Sequence, residues 1–256
     1  MNNKKTFQYA IIASGLSLAY GIAAAQTAAP AATITTAATG LEMTYNLGVT
    51  SDYRYRGISQ SGLKPAISAG FDGTLGNTSG GLYFGGWASS IKWVKDAGGN
   101  ASAEIDLYAG YKGELSKTVA YDLGFLTYQF PSNKLNPSAN TNEVYGALTM
   151  GPVTAKYSRS IGNLFGFAAS KGSGYFELNG EFELAKGIAL QTHIGKQTVA
   201  KNSAANYTDY KVGITYEALG GKFAAAVVGA DNKTYLTGSG KQAGKAGVVL
   251  GFTKNF

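Results

Sequence analysis

The stretch SDYRYRGISQSG, residues 51–62, packs an Asp, two Tyr, two Arg and a Gly into positions 52–57 before a polar turn. Tyr and Arg beside Gly suit a nucleic-acid-binding segment, whereas alternation of period two suits one strand with two unlike faces. The choice decides the fold, because the same alternation runs along nearly all of the chain from residue 42, though LYFGGWASS and FAAAVVGA have no clean parity. Met43, Tyr45, Leu47, Val49, Tyr53 and Tyr55 share one parity, and Asn46, Gly48, Thr50, Asp52, Arg54 and Arg56 the other. In AEIDLYAGY, Ile105, Leu107, Ala109 and Tyr111 alternate with Glu104, Asp106, Tyr108 and Gly110. YFELNGEFEL and DYKVGITY repeat the pattern. A helix would spread these acids over all its sides, so the period selects strands.

Twelve strands are expected, near 43–56, 64–75, 81–93, 102–115, 119–130, 142–151, 153–161, 174–185, 187–199, 207–218, 222–231 and 245–256. Most reach the roughly 9–11 residues that a tilted strand needs to cross a bilayer. Their connections alternate in length. GNTSG, SKT, Gly151-Pro152, the neighbourhood of Lys186 and Gly220-Gly221 are short; ISQSG, VKDAGGNA, PSNKLNPSANT, GNLFGFAASKGSG, AKNSAAN and DNKTYLTGSGKQAG are longer. A membrane barrel sorts its loops in this way, with short periplasmic turns and longer external loops. The expected fold is therefore all-β: a transmembrane up-and-down antiparallel β-barrel of about 12 strands over 42–256.

The N-terminus carries a different signal. Lys4 and Lys5 precede the apolar run YAIIASGLSLAYGIAAA, and Ala23 and Ala25 form an A-x-A site before Gln26. This pattern reads as a cleavable secretory signal peptide over 1–25. Its removal takes two lysines and no acids, so the formal charge of +7 becomes +5. An Ala/Thr-rich tract over 26–41, with side chains too small to build a core, reads as a flexible periplasmic segment. No later run of about 18 apolar residues suggests a membrane helix. The chain has no cysteine, which excludes disulfide and thiolate chemistry.

Solvation sets the orientation of the strands. An Arg or Lys on the lipid face costs roughly 2–4 kcal/mol at the bilayer midplane and about 0–1 near the interfaces. Asp52, Arg54, Arg56, Glu104, Asp106, Asp122, Glu143, Glu177, Glu181, His193, Asp209 and Lys211 are thus expected to line a pore. Ile105, Leu107, Leu123, Phe125, Leu178, Phe182, Val212, Ile214 and Leu250 remain for lipid. Tyr53, Tyr55, Tyr111, Tyr121, Tyr210 and Tyr216 are expected in interfacial girdles. Residues 51–62 then form the outer end of the first strand and the first external loop. Arg54 and Arg56 either filter solutes or pair with acids of neighbouring strands.

Catalytic readings find little support. The acids are spread over several strands, which argues against one catalytic pair. His193 is the only histidine; no G-x-S-x-G elbow accompanies it, and a metal site would need more His or Cys. GSGKQAGK (238–245) lacks the spacing of a phosphate loop. No cofactor and no metal are expected. Lys95, Lys134, Lys171, Lys201, Lys233, Lys241 and Lys245 lie in or beside the long loops, either solvated or facing lipopolysaccharide phosphates. No nucleic-acid recognition motif accompanies the basic charge.

YNLGVTSDYRYRGISQSGLKPAISAGFDG resembles the opening of the TorF-type porin family of proteobacterial outer membranes. GLYFGGWASSI, AEIDLYAGYKGEL, YDLGFLTYQFP, NEVYGAL, NYTDYKVGITY and GFTKNF continue the resemblance across nearly all of the mature chain. The first block is the most specific, with Asp52, Arg54, Arg56, Gly57, Ser59, Gln60 and Pro65 close to the family's spacing. The resemblance implies a Gram-negative outer-membrane barrel in contact with lipid and lipopolysaccharide, and a pore of unsettled substrate. The last strand, KAGVVLGFTKNF, also resembles the barrel ends that insertion machinery reads through a terminal aromatic, here Phe256; Lys254 departs from that pattern. The expected role is passive diffusion of small hydrophilic solutes, with no enzymatic activity. Two alternatives stay open: a plugged structural barrel and a membrane-embedded hydrolase.

Overall fold

A computed structural model describes residues 40–77 and 80–256. The expected signal peptide and residues 26–39 of the expected flexible segment lie outside these residues. The strands are β1 (Leu41–Thr50), β2 (Arg54–Tyr55), β3 (Ile58–Ser59), β4 (Ala66–Asn77), β5 (Gly80–Ser90), β6 (Ala103–Ser116) and β7 (Val119–Gln129). They continue as β8 (Thr141–Met150), β9 (Val153–Ser160), β10 (Gly174–Ala185), β11 (Ile188–Thr198), β12 (Tyr207–Ala218), β13 (Gly221–Ala230) and β14 (Gly247–Asn255). A single helical turn, α1 (Trp93–Asp96), and a 3-10 turn at Ser203–Ala205 interrupt the loops.

Twelve of these strands close into one barrel in which each pairs antiparallel with its neighbours, and β1 joins β14 to seal it. Closure satisfies the backbone of every strand and leaves no edge, which is what a sheet in an apolar medium requires. All the short turns lie at one end of the barrel. The seam ends there too, where the Phe256 N–H donates to the Tyr45 carbonyl at 2.9 Å. The long loops gather at the other end.

The period-two pattern resolves into an apolar outside and a polar inside. Ile105, Leu107, Leu123, Phe125, Leu178, Phe182, Val212, Ile214 and Leu250 are all exposed on the outer face. Outward charges such as Arg159 and Lys196 stand within two residues of the loop-side strand ends, where their burial in an interface costs least. Tyr111, Tyr210 and Tyr216 are exposed outside, and Tyr121 stacks on Tyr111. β5 and β13, which have no clean parity in sequence, turn Tyr83, Trp87, Lys222, Ala224, Ala226 and Val228 inward and Leu82, Phe84, Phe223 and Val227 outward.

The first strand departs from expectation. It ends at Thr50, and residues 51–65 turn back into the barrel as the β2–β3 hairpin. Tyr53 and Tyr55 are therefore not girdle residues. They are buried inside, at 2% and 7% exposure. The physical reason is that both hydroxyls find polar partners in the interior, so a tyrosine there keeps its hydrogen bond while burying its ring.

Candidate functional site

Asp52 organises the hairpin. Its carboxylate accepts from Arg54 Nε at 2.5 Å, Ser59 Oγ at 2.6 Å and Ser61 Oγ at 3.1 Å. The Ser61 hydroxyl in turn accepts from the Tyr53 N–H at 3.0 Å. The polar turn ISQSG is thus the internal bracing of a folded element. Arg54 Nη1 donates to the Gly57 carbonyl within the hairpin at 3.1 Å and fastens the hairpin to the last long loop through the carbonyls of Ala243 and Lys245 at 2.9 and 3.1 Å. The Gln60 carbonyl accepts from the backbone N–H groups of Lys92 and Trp93, at the start of α1.

The hairpin crosses the lumen between opposite walls. On one side Tyr53 donates to Glu104 of β6 at 3.0 Å and packs edge-on against Trp87. Tyr55 donates to Tyr128 at 2.7 Å, and Phe165 from the 161–173 loop inserts edge-on against both rings. On the other side, a methyl on Gly57 would lie 2.6 Å from Asp209 Cβ and 2.7 Å from the Gly229 carbonyl oxygen. Only glycine permits this approach. Arg56 takes a left-handed backbone, φ 45, immediately before Gly57 at φ 78; a non-glycine residue there carries about 1–3 kcal/mol of strain. Such strain persists only where the surroundings over-determine it, and here they hold the Arg56 side chain.

The Arg56 guanidinium enters a buried polar seat. Nη1 and Nη2 donate to the two carboxylate oxygens of Glu143 at 3.1 and 2.7 Å, and Nη1 also donates to Gln197 Oε1 at 2.8 Å. The guanidinium carbon lies 4.1 Å from the Tyr175 ring centroid and 4.8 Å from that of Tyr55. Arg56 and Glu143 are each 2% exposed. This combines the bidentate fork with stacking on an aromatic face, two contacts specific to arginine.

A second network continues from Tyr175. Its hydroxyl donates to Asp209 Oδ2 at 2.9 Å and lies 3.0 Å from His193 Nε2. His193 Nε2 is 2.8 Å from Asp209 Oδ1, and Nδ1 is 2.7 Å from Asn179 Oδ1. Asn179 donates to Glu177 Oε2 at 2.9 Å. Lys156 stands opposite Glu177 in the β9–β10 register, with its ammonium 4.1 Å from the Tyr145 ring centroid. Nearer the short turns, Asp122 accepts from Tyr83, which also bonds Tyr145, and Asp72 accepts from Tyr108 at 2.5 Å. Lys211 donates to Gln191 at 3.4 Å, and Gln191 to Glu181 at 3.3 Å.

Glu104, Asp106, Asp122, Glu143, Glu177, Glu181, His193, Asp209 and Lys211 all project from the inner face of the wall. Asp52, Arg54 and Arg56 lie in the interior as well, but on the hairpin that fills it. The structure brings Arg56 to Glu143, and His193 to Asp209 and Glu177, while Arg54 is taken up by Asp52 and backbone carbonyls. Gln197, Tyr175, Tyr128 and Asn179 are interior residues that residue-type reasoning passes over. The inward parity of their strands was the signal that could have found them. Asp106 Oδ1 and Glu177 Oε1 are buried without a hydrogen-bond partner. Among the described residues no group of three or more His, Cys, Asp or Glu is arranged to hold a metal.

At the rim, Lys92 and Asp96 of the α1 segment form an ion pair, and the Gly238 N–H also reaches Asp96. Partial burial pushes the Asp96 carboxyl up, but the Lys92 ammonium and the Gly238 N–H outweigh it and hold it below the usual carboxylate range.

The fold is similar to that of solved barrels. A structure described as the KdgM porin matches with a TM-score of 0.53 at 8% identity, covering 84% of this chain and 97% of that one. A second, "KdgM porin in complex with disordered oligogalacturonate", matches with 0.53 at 9% identity, covering 84% and 98%. LpxR from Salmonella typhimurium matches with 0.43 at 10% identity, covering 83% and 99%. No curated protein matches the sequence. A family model described as "Bacterial protein of unknown function (Gcw_chp)" matches residues 34–256. The chain therefore belongs to the Gcw_chp family, and its fold is a closed, porin-like barrel of twelve antiparallel strands.

Proposed function

We propose that the protein is an outer-membrane channel for passive diffusion of small hydrophilic solutes, exported by its signal peptide and inserted through recognition of Phe256. One observation carries this reading: a continuous apolar outer face surrounds an inner wall of charged and hydroxyl side chains contributed by nearly every strand. A barrel that served only as a scaffold would gain more from an apolar interior, since buried charges contribute little net stability. Fold similarity to KdgM and the TorF-type resemblance point the same way. Twelve strands lie between the filled eight-stranded barrels and the open 16–18-stranded porins, so the path is narrow. Small solutes would be filtered by diameter and by the wall charges at Glu104, Asp106, Asp122, Glu143, Glu177, Glu181, His193, Asp209 and Lys211. Loop lysines would face lipopolysaccharide phosphates.

The hairpin inside the lumen favours a second reading, a plugged structural barrel. Planar-bilayer recording separates the two. Steady single-channel steps from the purified protein support the channel; a folded protein without them supports the plugged barrel. The hydrolase alternative is tested on the same preparation, because His193-dependent release of fatty acid or peptide would overturn the non-enzymatic reading.

A further inference from the structure

The hairpin that carries Arg56 and the wall that receives its guanidinium are each braced by bonds that do not involve Arg56. The hairpin holds itself together through Asp52, Ser59, Ser61 and Arg54, whose Nη1 also donates to the Gly57 carbonyl. The wall residues that receive the guanidinium are oriented without its help. Glu143 Oε2 accepts from the Tyr128 hydroxyl at 3.4 Å. The Gln197 amide is turned by Nε2 donating to the Gly174 carbonyl at 3.0 Å, which leaves Oε1 facing the lumen. The Tyr175 ring is held by its hydroxyl on Asp209 and packs over Gly195. A site whose donors, acceptors and aromatic face stay in place when its occupant leaves is a preorganised site. Its occupant here is a side chain on a hairpin that enters from one end of the barrel.

Resting on the channel reading, we infer that Glu143, Gln197 and Tyr175 form a binding site in the channel wall for the guanidinium group of a solute. Arg56 is its tethered occupant, so the 51–65 hairpin closes the path by mimicking the solute. Two parallel carboxylate bonds and a flat aromatic platform match a planar fork, whereas an ammonium would satisfy only part of this arrangement. A solute bearing a guanidinium competes with Arg56, and hairpin withdrawal exposes the site to it.

Two full-length variants test this, Arg56→Ala and a chain in which residues 52–63 are replaced by a short Gly/Ser link, each checked for folding by its β-sheet circular dichroism. The probe is methylguanidinium, followed by calorimetry and by current block. Both variants are expected to bind it and wild type is not. Methylammonium should bind more weakly by on the order of tenfold, and Glu143→Gln added to Arg56→Ala should abolish binding. Absence of methylguanidinium binding to either folded variant overturns the site. The linked variant should carry several-fold more current than wild type, blocked by methylguanidinium. If it folds and carries no current, the channel reading fails, and calorimetry still decides the binding site. If it conducts but methylguanidinium neither binds nor blocks, the channel stands and the tethered-occupant proposal falls.

Discussion

Arg56 and Glu143, 87 residues apart in the chain, meet as a two-pronged ion pair inside the barrel at 3.1 and 2.7 Å. This pair seats the hairpin alongside the bonds of Tyr53 to Glu104 and of Tyr55 to Tyr128. Removing one partner leaves the other charge in a water-poor interior, which costs about 3–5 kcal/mol, whereas removing both together costs far less. Glu143→Ala should therefore lower the chemical denaturation midpoint in detergent, and Arg56→Ala/Glu143→Ala should recover much of the loss. A double-mutant cycle reads the difference; simple additivity of the two changes would show that the pair does not act as a unit.

Arg54 does a separate job, tying the hairpin to the loop after β13. Arg54→Ala deletes the bond to Asp52 and three bonds to carbonyls, and hydrogen bonds from a charged donor contribute roughly 1.5–3 kcal/mol each at most. The hairpin should then open locally while the barrel stays closed. Chymotrypsin reports this directly, because Tyr53 and Tyr55 are buried in the native protein. Cleavage after these residues should rise at least several-fold in the variant, and an unchanged digestion pattern would show that Arg54 is not the tie.

Gly195 and Tyr175 test the wall itself. A methyl group at Gly195 would collide with the Tyr175 hydroxyl. Gly195→Ala should destabilise the barrel by about 1–3 kcal/mol, the usual effect of overpacking. It should also shift Tyr175 from beneath the Arg56 guanidinium. Thermal unfolding with the tyrosine near-ultraviolet signal measures both effects, and a variant with native stability would show that the ring relaxes freely.

Asp96 predicts a pH effect at the rim. Its carboxyl lies below the usual range because Lys92 and the Gly238 N–H outweigh partial burial. A depressed carboxylate stabilises the native loop fully above its unfolded value, about 3.9, and that contribution is lost as pH falls through the lower native value. Protection of the Gly238 amide against exchange should accordingly persist at neutral pH and decline only under strong acid. Asp96→Asn should weaken that protection at neutral pH and flatten its acid dependence.

Much of the architecture was readable from the chain. The strands at 174–185 and 207–218 fall where alternation placed them, and most other strand ends lie within about two residues. A transmembrane-type strand separates two solvents at every second residue, so its pattern is local and survives without knowledge of any partner. The sorting of short and long connections identified closure for the same reason. Alternation also placed Glu104, Asp106, Glu177, His193 and Asp209 on the inner parity.

The stretch at 51–62 shows where that information stops. Its alternation marks two unlike environments and does not say which is which: a tyrosine is satisfied by a membrane interface or by a buried hydroxyl partner. Tyr53 meets Glu104 across 51 positions, Arg56 meets Gln197 across 141, and Arg54 meets Ala243 across 189. Such pairings follow from barrel closure, which brings distant strands around one lumen, and no local pattern encodes them. Composition and period thus dictated a barrel with a charged interior. The three-dimensional closure placed the Tyr–Arg segment inside that interior rather than in its wall, because the guanidinium finds there a carboxylate, an amide and an aromatic face that neither lipid nor an open loop would supply.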